Sequence, residues 1–271
     1  MEKIKLSKEK ETLIIPLVAK ALESKKDNPI IYDESALKIY KQIDYDFSSL
    51  NIPTKTNIML AIRAKLMDDY VKNFLNYNKD CVAFHLGCGL DSRYKRVNNK
   101  TVDWYDLDFK EVIDLKKIFF EESSNYHMIG SSVTEYSWID KIPKDKENYI
   151  IIAEGLFMYL KYEEINELLI KLKEKLGSFT LIFDAYSILT AKNANKHPSI
   201  KKTKANINWG IDNPKELEKI SVGIKFKKEV FFTDNKLLDK LSLTNKIIFK
   251  IANYFKTAKR AHRILIYKID N

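Results

Sequence analysis

Cys81-Val82-Ala83-Phe84-His85-Leu86-Gly87-Cys88-Gly89-Leu90-Asp91-Ser92-Arg93 is the stretch on which the reading of this chain turns. Its first six residues form a short apolar run, and Gly87-Cys88-Gly89 comes directly after it, the pattern of a buried strand entering a tight loop. Glycines at such a turn let the backbone approach a ligand closely. The same rhythm continues downstream. Thr101–Leu107 reads as a second strand with a helix near 110–122, Tyr126–Ile129 as a third and Tyr149–Ala153 as a fourth. A helix over 162–176 carries Ile165, Leu168, Leu169, Leu172 and Leu176 on one stripe, and Phe179–Phe183 reads as a fifth strand. Apolar strands alternating with helices indicate an α/β fold, an open and mostly parallel sheet whose ligand lies beyond the carboxyl ends of the strands.

Upstream, residues 1–78 read as an N-terminal helical part. Ile58, Ile62, Leu66, Val71 and Phe74 recur at helical spacing within 55–75, with Pro53-Thr54 at the entry and Thr54 or Thr56 as N-cap. Residues 79–186 form the ligand-binding core. The rhythm breaks after 186, and 187–214 reads as a polar lid or substrate region. Asn213-Pro214-Lys215-Glu216 then opens a helix, with Asn as cap and Pro at the first position. Strands near 225–232 and 262–268, with a helical stretch around 245–257 between them, close the sheet within 215–271. The expectation is a single domain over 1–271.

Composition narrows the function. Lys and Arg number 47 against 37 Asp and Glu, a formal charge of +10, but only five of the basic residues are Arg and the lysines are scattered. A nucleic-acid reader concentrates its charge and favours Arg, so nucleic acid is not an expected partner. Hydrophobic residues make up 45% and charged residues 31%, the balance of a globular protein. No apolar run approaches the roughly 20 residues needed to cross a bilayer, and MEKIKLSKEKE lacks the apolar stretch of a signal peptide. Cys81 and Cys88 are the two cysteines, too few for a disulfide framework or a Cys-based zinc site. The expectation is a cytoplasmic protein without structural metal or membrane partner; oligomeric state is not readable.

The loop after the first strand carries the ligand argument. A dinucleotide fingerprint GxGxxG needs glycine at 92, where this chain has Ser92, which reads instead as the cap of the next helix. Asp106 and Asp108 lie at the end of the second strand, about twenty residues on, where a carboxylate accepts bonds from ribose hydroxyls. An adenosine-type ligand without a pyrophosphate fits this pattern, and S-adenosylmethionine is the common one.

The run Phe84–Arg93 resembles the LGxGxD[ST]R signature of the leucine carboxyl methyltransferase family, which includes O-methyltransferases of tetracenomycin-type polyketide synthesis. Trp104-Tyr105-Asp106-Leu107-Asp108-Phe109 is similar to its acidic strand segment, with Lys110 where proline is usual. Ala153–Leu160 is similar to xEGxxxYL, and Trp209-Gly210-Ile211-Asp212-Asn213-Pro214 to the late WG[LI]xxP element. Ala21-Leu22-Glu23-Ser24 with Asp33, and Ile62-Arg63-Ala64-Lys65, echo its N-terminal stretches. The resemblance implies the Rossmann-like seven-stranded sheet of class I S-adenosylmethionine-dependent methyltransferases, with extra N-terminal helices and a lid. It also implies roles. Arg63 would pair with the methionine carboxylate of the cofactor, and the backbone of Gly87, Cys88 and Gly89 would run beside its methionine and ribose. Asp108 would hold the ribose hydroxyls, Glu154 would face the amino and sulfonium region, and Ser132 and Val133 would lie beside adenine.

Methyl transfer is a displacement that the protein promotes mainly by alignment. A carboxylate acceptor needs no base, whereas a hydroxyl benefits from one. His197, in the lid, and Tyr159 are the candidate catalytic groups; His85 reads as a core residue and Cys88 as a small spacer. Tyr159, Tyr186 and Trp209 are candidates to line the acceptor pocket. Glu154-Gly155-Leu156-Phe157 stands where amino-methylating nucleic-acid enzymes carry an (Asp/Asn)-Pro-Pro-aromatic tetrapeptide, which disfavours a nucleobase. The expected function is O-methylation of a carboxylate or hydroxyl on a small molecule. A methyltransferase fold that has lost catalysis and a nicotinamide-binding protein are the alternatives.

Overall fold

The computed structural model describes residues 4–5, 11–195 and 206–271. In chain order its elements are β1 (Ile4–Lys5), α1 (Glu11–Glu23), α2 (Glu34–Gln42), β2 (Ile43–Asp44), α3 (Thr54–Tyr77), β3 (Cys81–Leu86), α4 (Arg93–Val97), β4 (Asp103–Asp108), α5 (Lys110–Lys116) and β5 (Tyr126–Gly130). They continue as β6 (Asn148–Ala153), α6 (Tyr162–Leu176), β7 (Phe179–Tyr186), α7 (Ile188–Ala194), β8 (Ile224–Phe231), α8 (Leu243–Tyr254), α9 (Lys256–Arg260) and β9 (His262–Ile269). Short 3₁₀ turns join several of them.

Seven strands form one sheet in the order β5-β4-β3-β6-β7-β9-β8. The first five are parallel, and β9 enters antiparallel between β7 and β8. Because β4 lies on one side of β3 and β6 on the other, the winding reverses at β3, and the crevice of an open sheet forms at such a point. Both faces of the sheet are covered. Ala83, Trp104, Ile150, Ile152 and Ile264 pack under α3 residues such as Ile58 and Met67. Their strand neighbours Val82, Phe84, Ile151, Ala153 and Leu265 pack with α6 residues such as Ile165 and Leu169. This alternation buries the central strands β3, β6 and β7 almost completely, which is why they read as continuous apolar runs.

Several expected boundaries are corrected. Helix α3 begins at Thr54 itself; Pro53 holds the cap position and its carbonyl accepts from Thr56 and Asn57, so neither threonine caps. Ser92 precedes α4, but its hydroxyl donates to Asp33 at 2.6 Å instead of capping that helix. Helix α5 stops at Lys116, short of 122, because Glu122 accepts the Met128 N–H at 2.7 Å and the chain turns into β5. The region after 186 is not all loop. Ser187 accepts from Thr190 N at 3.1 Å and starts α7. Asn213 does act as a cap, but the segment it opens, Pro214–Lys219, is 3₁₀ and not an α-helix. Among the described residues no helix is long and apolar enough to cross a membrane.

Candidate active site

A cavity of about 910 Å³ opens at the carboxyl ends of β3, β4, β6 and β7, walled by α1 and α3 on one side and by the start of β9 on another. At its floor, Gly87 and Gly89 have φ of 62° and 51°, the left-handed region that side chains resist. A Cβ on Gly87 would stand 3.0 Å from Leu156 Cδ1, so the loop is both twisted and tightly seated. Cys88, between them, is buried, and burial pushes its thiol well above the usual range, as expected of a spacer rather than a nucleophile.

Asp108 ends β4 at the cavity wall. Its Oδ2 accepts Gly89 N–H at 2.7 Å and its Oδ1 accepts Phe109 N–H at 2.8 Å. Burial raises its carboxyl above the ordinary range despite both bonds. Asp106 has a different role from the one expected of it. It is fully enclosed, accepting from Trp104 Nε1 at 2.8 Å and Tyr126 OH at 2.7 Å, with Lys116 Nζ at 2.7 Å. Burial would raise it, but Lys116 and then His85 outweigh that and hold it ionised, so no lone pair is left for a sugar.

Arg63, from α3, lines the cavity beside two carboxylates. Its Nε lies 3.1 Å from Glu154 Oε1 and its Nη1 3.0 Å from Asp184 Oδ2. Glu154, at the end of β6, also meets Arg93. Burial would raise Glu154, yet Arg63 and Arg93 together hold it at about 2. The network spreads outward. Arg93 Nε meets Asp68 at 2.7 Å, Arg96 meets Asp33 and Asp68 at 2.7 Å and Asp91 at 2.5 Å, and Lys20 of α1 meets Asp91 at 3.4 Å. Glu154, Asp184, Asp91, Asp68 and Asp33 thus outnumber Arg63, Arg93, Arg96 and Lys20 by one, and Asp108 adds a carboxylate met only by backbone N–H groups. The floor of the cavity carries a net negative charge.

The other predicted residues divide. Tyr159 and Tyr186 line the cavity, and burial raises both phenols, so they stay protonated. His85 lines it too, with Nε2 at 3.1 Å from Arg93. Three candidates lie elsewhere. Trp209 is buried in the core 6.1 Å from the Phe183 ring, not in the pocket wall; its backbone N–H donates to Met158 O at 3.2 Å and its indole packs with the cluster beneath the sheet. Ser132 and Val133 are not lining residues. The Ser132 hydroxyl is bonded with Thr134 at 2.9 Å, and Val133 packs in the core, its carbonyl taking the Trp138 N–H at 3.2 Å. His197 lies outside the described residues. Sequence reasoning passed over Lys20, Phe109, Val112, Asp184 and His262. Phe109 carried a signal, an aromatic residue directly after the strand-end acid; it is 58% exposed beside the cavity. Asp184 and His262 sit in strands that read only as apolar, and nothing local marks them.

Residues 14–173 match the profile of the leucine carboxyl methyltransferases. The chain is 33% identical over 267 residues to the tetracenomycin polyketide synthesis O-methyltransferase TcmP of Streptomyces glaucescens, covering 98% of each. The chain belongs to the leucine carboxyl methyltransferase family. A second relative, the S-adenosyl-L-methionine-dependent methyltransferase dpfgK of Gibberella zeae, is 24% identical over 281 residues, covering 95% of this chain and 94% of its own. Among solved structures, a DUF574 family protein from Streptomyces avermitilis matches at TM-score 0.60 and 9% identity, covering 94% and 97% of the two chains. The N-methyltransferase NodS from Bradyrhizobium japonicum, in complex with S-adenosyl-L-homocysteine, matches at 0.51 and 8%, covering 98% and 100%. At such identities these likenesses speak for the fold, which is that of class I S-adenosylmethionine-dependent methyltransferases.

Family and fold together make this an S-adenosylmethionine-dependent methyltransferase, and the residues present fit that cofactor. A backbone cradle with left-handed glycines leaves room beside β3, Asp108 offers an uncompensated carboxylate, and the acid excess suits a ligand whose sulfonium and ammonium outweigh its one carboxylate.

Proposed function

We propose that this methyltransferase transfers the methyl group of S-adenosylmethionine to an oxygen, of a carboxylate or a hydroxyl, on a small-molecule acceptor. The observation that carries the reading is the cavity of about 910 Å³, polar and acidic where Gly87–Gly89, Asp108 and Glu154 meet and aromatic where Tyr159 and Tyr186 stand. In this reading Asp108 takes the ribose hydroxyls, the Gly87–Cys88–Gly89 backbone runs beside ribose and methionine, and Glu154 faces the ammonium and sulfonium. Arg63 attracts the methionine carboxylate, a charge-assisted contact for which its guanidinium has N–H donors left after Glu154 and Asp184. Transfer to oxygen is supported by the likeness to TcmP, named an O-methyltransferase, and by Glu154-Gly155-Leu156-Phe157 in the place of an amine-holding tetrapeptide.

The same reading treats residues 1–271 as one catalytic unit: Asp33 from the N-terminal part bonds Ser92 and Arg96 behind the glycine loop. It also keeps the protein in the reducing cytosol, which two free and buried thiols support. Calorimetric titration with S-adenosylmethionine tests the proposal. Stoichiometric binding by the folded wild type is expected, and its absence would overturn the reading.

A further inference from the structure

Resting on that reading, we infer that a second cavity behind His262 belongs to the acceptor site and receives the apolar, ring-sized far end of an elongated acceptor. This cavity measures about 190 Å³ and lies between α3 and α8, walled by Met59, Phe232, Phe249 and Ala252. Alone it is too small for a whole ligand, since small-molecule sites run to roughly 300–1,000 Å³. It is also large for a packing defect, because protein interiors leave few voids bigger than a water molecule. An apolar cavity of about 150 Å³ already admits benzene, so one six-membered ring fits here.

The two cavities share a wall. Met59, Ala261 and His262 line both of them. Aromatic surface runs across that wall without a break. The His262 ring meets Tyr186, which lines the main cavity, with centres 4.5 Å apart, and Phe232, which lines the second, at 4.9 Å, both edge-on. His262 is fixed in place. Its Nε2 lies 2.6 Å from Asp184 Oδ2, and Asp184 is itself held by Arg63 and by the Gly155 N–H. Met59 has no polar group to tie it down. Half-buried, unbranched and with three rotatable bonds, it is the part of the wall that yields to a ligand. The polar side chains of α3 and the β8 end add little to the second cavity: the Thr233 hydroxyl is bonded to Asn253 at 3.2 Å, and Lys55 is exposed.

The sheet sets the length of the ligand. The proposed function turns Glu154, at the end of β6, toward the sulfonium. In the sheet β6, β7 and β9 are successive neighbours, so the start of β9 stands two strand spacings away, roughly 10 Å. An acceptor whose oxygen meets the methyl group beside β6 enters the second cavity only if a rigid apolar body of about that length follows the oxygen. A single-ring acceptor leaves the cavity empty. The argument is the same for a carboxylate and for a hydroxyl, because the cavity reads the end of the molecule that does not react.

Crystals of the enzyme with S-adenosylhomocysteine, soaked with 4′-bromobiphenyl-4-carboxylate or with 4′-bromo-4-hydroxybiphenyl, test the placement. The anomalous signal of bromine from at least one probe is expected between Phe249 and Ala252. Bromine only outside the second cavity, or neither probe bound, would overturn the inference. Calorimetry on the same complex should find the biphenyl probe bound about 10- to 150-fold more tightly than its single-ring counterpart, 4-bromobenzoate or 4-bromophenol, the gain that burying one more ring brings. Ala252→Phe fills the cavity and should remove that difference, with affinity for S-adenosylhomocysteine unchanged as the mark of an intact fold. Ala252→Leu, a smaller insert, should narrow it part-way. A preference for the longer probe that survives both substitutions would overturn the inference. An enzyme that binds S-adenosylhomocysteine but fails these tests sinks this inference alone, whereas one that binds neither that product nor S-adenosylmethionine sinks the methyltransferase reading beneath it.

Discussion

Asp106 and Asp108 stand two residues apart on one face of β4 and do opposite work. Asp106 is opposite Met128 in mid-strand, where Lys116, Tyr126 and Trp104 close over it; Asp108 is at the strand end, where only backbone N–H groups reach it and the cavity begins. Asp108→Ala should weaken S-adenosylmethionine binding by about 1–3 kcal/mol, roughly 5- to 150-fold, measured by calorimetry at pH 7.5; an unchanged dissociation constant would refute the ribose assignment. Because burial raises this carboxyl, affinity should fall on acidification at a higher pH than an ordinary aspartate dictates, and Asp108→Asn should remove that arm of the profile. Lys116→Met is the complementary test. It leaves Asp106 buried without its cation and should cost about 3–5 kcal/mol of stability, read as a drop in the urea midpoint. The strand pattern marked both acids and only the family resemblance preferred Asp108, since Lys116 and Tyr126, which occupy Asp106, come from α5 and β5 and meet it only after folding.

At the level of elements, Asp33 is one of the side chains, with Lys20 and Asp68, that fasten the N-terminal helices to the segment following the glycine loop. Asp33 Oδ1 accepts the Ala36 N–H at 2.9 Å, capping α2, and the Ser92 hydroxyl at 2.6 Å, while Oδ2 meets Arg96 at 2.7 Å. Asp33→Ala removes a cap and strands part of a buried charge network, so a loss of about 2–4 kcal/mol is expected. Thermal unfolding measures it, and hydrogen exchange should show α2 opening first; a Tm within a degree of wild type would refute the fastening. Elements with strong periodicity were legible in advance: the five parallel strands, α3 and α6 lie close to where their apolar spacing put them. Elements defined by tertiary contacts were not. Helix α7 spans only seven residues and depends on the Ser187 cap. The Trp209-Gly210 pair looked like a pocket feature, yet a Cβ on Gly210 would come within 2.8 Å of Ser187 O. Glycine there lets the segment pass α7 while the indole enters the core. The glycine loop and the strand-end acid were readable as local features because they sit in one loop and one strand end; the contact between His262 and Asp184 was not, because a register between β7 and β9 creates it.

Across the whole molecule, the ionisable groups around the cavity make stability depend on pH in a direction that can be worked out. Glu154, Asp184, Asp106 and Asp91 are held below their usual range by cations that outweigh burial. The unfolded chain therefore binds protons that the folded one refuses, and the stabilisation, complete above an unfolded pKa of about 4, is lost as pH falls toward the folded values, about 2 for Glu154. His85 and His262 act in the same direction at higher pH. Burial lowers both, so stability begins to decline as pH drops below their unfolded value of about 6.5. The melting temperature should be level between about pH 7 and 8, slope gently below it and fall steeply below about pH 4. A chain of formal charge +10 also gains positive charge in acid, and general self-repulsion would produce a similar fall. Salt separates the two causes. Repulsion between exposed charges is screened over about 3 Å in 1 M salt, whereas buried pairs are screened much less. If the buried network governs, 1 M NaCl should leave the acid transition near its low-salt position; a melting temperature at pH 4 that salt restores to its neutral value would assign the loss to the surface instead.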